Sequence, residues 1–310
     1  MKKHEFYYDS ADQKTKIHAI EWIPEGEIKG IVHAVHGVTE HAGRYEALAK
    51  YLTEKGFVVV GIDLIGHGKS IAEGAKPMYF GPEGSWIWLE KDLDICRAQM
   101  KEKYPNLPYC MIGSSLGSFL IRTYIINYPN AIDMAILVGT GQQPSVAISL
   151  GKYVAKSEAK KYGEDATTKK ISELTFGTYN KKFAPNRTRY DWLAKSEKSV
   201  DEYINDPLRG GDMSSGVFRE MLNGMKYCGD INNVKKMNKE MAILFLSGSD
   251  DPVGEFSKGV KKACNLYKKA GLTDIDLKIY DGLRHDILHE ENSEEIFKDL
   301  YEWLLKRIEK

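Results

Sequence analysis

Tyr109-Cys-Met-Ile-Gly-Ser-Ser-Leu-Gly-Ser-Phe-Leu120 places an apolar, strand-like run before Gly113-x-Ser115-x-Gly117 and an amphipathic helix after it. A sharp turn from strand to helix is the setting in which a serine hydroxyl is lifted clear of a sheet. Gly113 and Gly117 remove side chains where strand and helix approach, so Ser115 reads as a candidate nucleophile. The five-residue pattern alone has little weight in a chain of 310 residues, and its flanks supply the specificity.

Outward from this stretch, strand-like and helix-like segments alternate. Phe6–Tyr8 and Lys16–Ile23 read as an opening antiparallel pair. Strands at Ile31–Val35, Val58–Asp63, Tyr109–Gly113 and Met134–Val138 then alternate with helices at Arg44–Glu54, Trp86–Tyr104 and Leu116–Tyr128. This is the pattern of a mostly parallel, doubly wound α/β sheet covered on both faces. From about Gly139 to Lys239 the buried-strand signal is lost, and the chain turns helical and polar. It resumes with a strand at Met241–Leu246, a helix at Phe256–Ala270, a strand at Ile275–Tyr280 and a helix at Glu294–Ile308. The expected organisation is a core in two parts, 1–140 and 240–310, interrupted by a helical cap at 141–239.

Lys+Arg and Asp+Glu both number 44, so no charge imbalance points to nucleic acid. No apolar run approaches the roughly 20 residues of a membrane span, and Met1-Lys-Lys-His-Glu-Phe lacks the apolar core of a signal peptide. A soluble cytoplasmic protein is expected, with no stable membrane insertion, and the oligomeric state is not legible. Cys96, Cys110, Cys228 and Cys264 lack disulfide or zinc spacing and read as buried free thiols.

In a doubly wound sheet of this kind the acid and the histidine follow the nucleophile in chain order. Only His285 and His289 lie after Ser115. His285 follows the strand Ile275–Tyr280 and the turn Asp281-Gly-Leu-Arg284, whereas His289 reads as peripheral. The orienting carboxylate is expected after Met241–Leu246, in Ser247-Gly-Ser-Asp250-Asp251-Pro252-Val253. Asp251 is preferred, because Pro252 fixes the exit from the turn and Gly248-x-x-Asp251 returns the side chain toward the sheet; exchange with Asp250 stays open. Two backbone amides should meet an oxyanion. Leu116 provides one from the elbow and Val38, in His36-Gly37-Val38, the other, with His36 bracing that loop. Two near misses are set aside. Asp63-Leu-Ile-Gly-His-Gly-Lys-Ser70 lacks the first glycine of a P-loop, and Gly139-Thr-Gly-Gln-Gln-Pro144 has proline at the third glycine position of a dinucleotide fingerprint.

With these residues assembled, the chain resembles the α/β-hydrolase superfamily, and within it the monoacylglycerol lipase and bacterial lysophospholipase group. The resemblance rests on His36-Gly-Val-Thr-Glu40-His41-Ala-Gly-Arg44-Tyr45, Asp63-x-x-Gly66-His67-Gly68-x-Ser70, the elbow, Gly248-x-x-Asp251-Pro252-Val253 and Arg284-His-Asp-Ile-Leu288. Asp191-Trp-Leu193 and Val200-Asp-x-Tyr203-x-x-Asp206-Pro-Leu208 extend it into the inserted segment. It implies Ser115, Asp251 and His285 as a triad, Val38 and Leu116 as oxyanion amides, and Glu40, His41 and Arg44 as supports, the last three reading equally well as an exposed helix start with a solvated ion pair. The elbow departs from the usual Gly-His-Ser-Met-Gly at Ser114 and Leu116. Arg209 stands where relatives often carry cysteine, so thiol sensitivity at that site is not implied.

The expected reaction is hydrolysis of a carboxylic ester through an acyl-enzyme, with no metal or organic cofactor. The resemblance favours an acyl-glycerol or lysophospholipid. A promiscuous short-chain carboxylesterase fits the same triad, and an amidase or aminopeptidase on this scaffold is a further alternative. A non-catalytic binding module predicts a damaged triad, which this sequence does not have. Val217, Phe218, Met221, Leu222 and Met225 form an apolar stripe that reads as packing or as the wall of an acyl tunnel.

Overall fold

In the computed structural model, which describes residues 1–308, the chain forms an eight-stranded sheet. The strands are β1 (Lys2–Asp9), β2 (Lys16–Ile23), β3 (Gly30–Val35), β4 (Phe57–Ile62), β5 (Tyr109–Ser114), β6 (Met134–Val138), β7 (Ala242–Gly248) and β8 (Ile275–Tyr280). Their spatial order is β1-β2-β4-β3-β5-β6-β7-β8. β1 and β2 pair antiparallel, β2 meets β4 antiparallel, and every other neighbour is parallel.

The central strands are apolar on both faces because helices cover both. Val58, Val60 and Ile62 of β4 point into one core, shared with Leu89 of α2 (Trp86–Lys103), Leu120 of α3 (Leu116–Asn127) and Tyr267 of α9 (Lys258–Lys269). The intervening Phe57 and Val59 point into the other, with Leu48 of α1 (Glu46–Glu54) and Leu300 of α10 (Ser293–Ile308). This two-sided burial turns the strands into continuous apolar runs. Most bounds shift by a residue or more from the sequence reading, and two shifts mark a change of local structure. The segment expected as a helix from Arg44 opens with a 3₁₀ turn at Ala42–Tyr45. The helix expected from Phe256 begins at Lys258, because Glu255, Phe256 and Ser257 take positive φ values of 50°, 54° and 73°.

Between β6 and β7 the chain leaves the sheet as α4 (Ser145–Tyr162), α5 (Lys169–Thr175), α6 (Glu197–Asn205), α7 (Ser215–Cys228) and α8 (Ile231–Val234). α4 and α7 pack closely at Gly151, where an added Cβ would lie 2.8 Å from Leu222 Cδ1. Arg122 of α3 anchors the base of this insertion. Its fully buried guanidinium donates to Tyr267 Oη, Thr140 Oγ1, the Gly141 carbonyl, Gln142 Oε1 and the Cys228 carbonyl. All these acceptors are neutral, so hydrogen bonds rather than an ion pair satisfy the buried cation.

The turn from β5 to α3 is crowded. An added Cβ on Gly113 would lie 2.5 Å from the Gly117 carbonyl oxygen, and one on Gly117 would lie 2.1 Å from the Val35 carbonyl oxygen. Backbone cannot yield as a side-chain tip does, so Gly117→Ala is expected to destabilise the fold by at least about 1–3 kcal/mol, read as a lowered urea midpoint.

Candidate active site

Ser115 occupies the turn with φ 52° and ψ −118°, outside the regions that L-residues favour, at a cost of about 1–3 kcal/mol. Its amide donates to the Val138 carbonyl (2.9 Å), and its carbonyl accepts from Ser118 Oγ (2.6 Å), which holds the strained turn from both sides.

β7 and β8 bring the next two residues together. His285 Nδ1 lies 2.8 Å from Asp251 Oδ1, which also accepts from the Val253 amide at 2.9 Å. Both side chains are buried. Two glycines admit this approach: an added Cβ on Gly248 would lie 2.1 Å from the Leu283 carbonyl oxygen, and one on Gly139 would lie 2.8 Å from His285 Cε1. Asp250 instead faces outward to Lys182 Nζ at 2.6 Å. His285 Nε2 and Asp251 Oδ2 are buried without a hydrogen-bond partner among the described residues. The Trp192 ring packs on the imidazole with centroids 5.2 Å apart. Burial disfavours the imidazolium, but the charge and hydrogen bond of Asp251, helped by Asp286 and Glu40, more than offset it. The His285 pKa therefore lies above its ordinary value of 6.5.

The loop after β3 faces Ser115. An added Cβ on Gly37 would lie 3.2 Å from Ser115 Cβ. Among the described residues, the amides of Val38 and Leu116 donate no hydrogen bond to the protein. His36 braces this loop by hydrogen-bonding the Gly37 carbonyl through Nδ1 (2.7 Å) and accepting the Leu64 amide at Nε2 (3.0 Å). Burial, then the neighbouring His67, pushes its pKa down to about 3, so it stays neutral. Glu40 accepts the Gly37 amide (2.8 Å) and pairs with Arg44 (3.0 Å), and the pair is largely buried instead of solvated. His41 reaches Asp206 of the insertion at 2.8 Å.

Two cavities meet at Ser115. The larger, about 600 Å³, runs from Ser115 and Val38 past Phe119, Ile148, Val154, Phe218, Met221 and Met225. Leu150 and Leu174 belong to its wall and are also 62% and 48% exposed, which places its mouth between α4 and α5. Four members of the apolar stripe read from the sequence, Phe218, Met221, Leu222 and Met225, line this chamber, while Val217 is fully buried in the core. The smaller cavity, about 20 Å³, lies between Ser115, His285, Thr39, Tyr190 and Tyr203. It has the room of about one water.

Sequence reasoning missed Trp192 as a neighbour of His285, and also the partners of His289, which is not peripheral. Its Nδ1 meets Asp286 at 2.7 Å and its Nε2 the Arg44 carbonyl at 2.8 Å. The i, i+3 spacing of Asp286 and His289 was the one local signal. The four cysteines are buried and free, and no cluster of metal-ligating side chains occurs among the described residues. No helix among them is long and apolar enough to cross a membrane.

The family described as "Serine aminopeptidase, S33" matches residues 26–292. The chain is similar to the monoacylglycerol lipase of Mycolicibacterium smegmatis, at 23% identity over 93% of this chain and 92% of that protein. It is similar also to the monoglyceride lipase of Homo sapiens, at 27% identity over 92% of this chain and 86% of that protein. Among solved structures, a thermostable carboxyl esterase from Bacillus coagulans in complex with glycerol superimposes with a TM-score of 0.92 at 26% identity, covering 99% of both chains. A family match over most of the length, on an eight-stranded sheet with this strand order, means that the chain belongs to the S33 family of α/β-hydrolases.

Proposed function

We propose that the protein is a serine carboxylic ester hydrolase of the monoacylglycerol lipase type, with Ser115 as nucleophile, His285 as base and Asp251 as its orienting acid. His285 takes the Ser115 proton and the alkoxide attacks the ester carbonyl. The tetrahedral oxyanion is met by the free amides of Val38 and Leu116, and an alcohol leaves with the proton that His285 returns. Water in the small cavity beside His285 then releases the acid. In this reading the segment 141–239 acts as a cap that supplies the walls for the acyl chain.

The observation that carries the substrate class is the chamber of about 600 Å³ that opens on Ser115 and is walled mostly by aliphatic, Met and aromatic side chains. It falls within the roughly 300–1,000 Å³ of small-molecule sites. Its lining suits a medium or long acyl chain better than acetate. An aminopeptidase would need a carboxylate free to hold a substrate ammonium. Here Glu255 of the chamber is bonded to Lys262 at 2.8 Å, and Glu173 lies at the exposed mouth, 3.7 Å from Lys169. Glu40, Asp212 and Asp286 of the smaller cavity are held by Arg44, Arg189 and Arg44.

The test is hydrolysis of p-nitrophenyl esters and glycerol monoesters of increasing chain length, beside Ser115→Ala. A rate that peaks at medium or long chains and vanishes in the variant is expected. A peak at acetate or butyrate would replace the lipase-like reading with a short-chain carboxylesterase. Faster turnover of aminoacyl amides than of esters would favour the peptidase alternative.

A further inference from the structure

The proposed base and one proposed oxyanion amide stand on loops far apart in the chain, after β8 and after β3. A chain of buried polar contacts joins them. The Gly37 amide donates to Glu40 Oε2 (2.8 Å), Arg44 Nε donates to Glu40 Oε1 (3.0 Å), and Arg44 Nη2 donates to Asp286 Oδ2 (2.7 Å). The side chains of Glu40, Arg44 and Asp286 are only 13%, 9% and 8% exposed. Asp286 directly follows His285, and its own amide donates to the Leu193 carbonyl at 2.7 Å. His289 closes the chain by contacting both Asp286 Oδ1 and the Arg44 carbonyl. The Arg44 guanidinium also lies over the Tyr203 ring, 5.3 Å from its centroid, so the insertion covers it.

We infer that Asp286 is a positioning residue: through Arg44 and Glu40 it locks the Gly37–Val38 peptide into one register with the His285 loop. The inference rests on the reading of Ser115, His285 and Val38 given above. Its physical basis is rigidity. A lone carboxylate on the Gly37 amide would let the loop drift, and a displacement of 1 Å at an oxyanion donor costs about a hundredfold in rate. A buried pair that loses one partner leaves an uncompensated charge, so the chain holds only as a whole. Consistent with this, burial acts to raise the Asp286 pKa, but His289 and Arg44 together hold it well below the usual carboxylate range.

The test is a double-mutant cycle with Glu40→Gln and Asp286→Asn, both of which preserve side-chain shape. It reads kcat and KM on the best p-nitrophenyl ester, the rate at which a fluorophosphonate labels Ser115, and the melting temperature. Each single variant is expected to lose about tenfold to a hundredfold in kcat and in labelling rate, with KM within about twofold. The double variant should lose little more than the worse single one, because both cut the same chain. Multiplicative losses, a rise in KM with kcat unchanged, or a fully active single variant would each overturn the inference. If Asp286→Asn does not fold, His289→Gln, at the partly exposed end, replaces it in the same cycle. Ser115→Ala separates the two levels: activity in that variant would sink the underlying reading, whereas a dead Ser115→Ala beside fully active Glu40→Gln and Asp286→Asn would sink only this inference.

Discussion

Ser115→Ala, His285→Ala and the double variant are expected to lose nearly the same factor of about 10⁶ in kcat, because the proposed nucleophile and base act as one unit and removing either leaves nothing for the other to do. The two side chains wall the same small cavity. His285 Nε2 has no hydrogen-bond partner among the described residues, so no bond that holds the fold is lost at that nitrogen. All three variants should still fold and bind a fatty acid, since most of the chamber walls lie on α4, α5 and α7. Esterase assays with a fatty-acid displacement measurement check both halves. A double variant much slower than either single one would show that Ser115 and His285 act separately.

Asp251→Asn is expected to lose about 10⁴ in kcat while leaving the structure in place. Asp251 Oδ1 is the acceptor that keeps hydrogen on His285 Nδ1, which leaves Nε2 free to take a proton. An amide group turned toward Nδ1 reverses that tautomer. Asp250→Asn is the matched control and should change little, because Asp250 faces Lys182 at a partly exposed site. The pH profile adds an independent reading. His285 must be neutral to act, so wild-type kcat/KM should rise with pH through a value above 6.5. Asp251→Asn removes the largest contribution favouring the imidazolium and leaves the burial that opposes it, so that limb should move to lower pH. Equal losses in the Asp250 and Asp251 variants would contradict the assignment.

Much of the sheet was legible because its central strands are short apolar runs and β8 alternates apolar with charged residues, bounded by glycine, proline or polar turns. The bounds of Met134–Val138 and Ile275–Tyr280 agree with the sequence reading. Ser115 was legible because Gly113 and Gly117 flank it, and His285 because chain order left two choices. The left-handed turn at Glu255–Ser257 was not, since none of its residues is a glycine and the backbone bond that holds it, from the Phe256 amide to the Asp251 carbonyl, has no signature in residue type. The stripe from Val217 to Met225 shows the limit of periodicity. It tells which residues share a helix face, but not whether a wall or an empty chamber stands opposite. His289 looked peripheral for a similar reason, because its contact with the Arg44 carbonyl spans 245 positions.

The guanidinium of Arg122 touches Thr140, Gly141 and Gln142 where the chain leaves the sheet, and Cys228 where α7 ends. The excursion that supplies the chamber walls therefore starts and finishes at almost one point. To the sheet it is a closed loop, and lengthening a loop whose ends already meet costs only about 0.6 kcal/mol per doubling. Length is thus no entropic obstacle between Gln142 and Cys228, and the cost of exchanging a helix there lies in its own packing, as for Val217 of α7, which is fully buried in the core. The exposed walls on α4 and α5, at Leu150 and Leu174, are where the volume of the chamber can change without disturbing the strands that hold Ser115, Asp251 and His285.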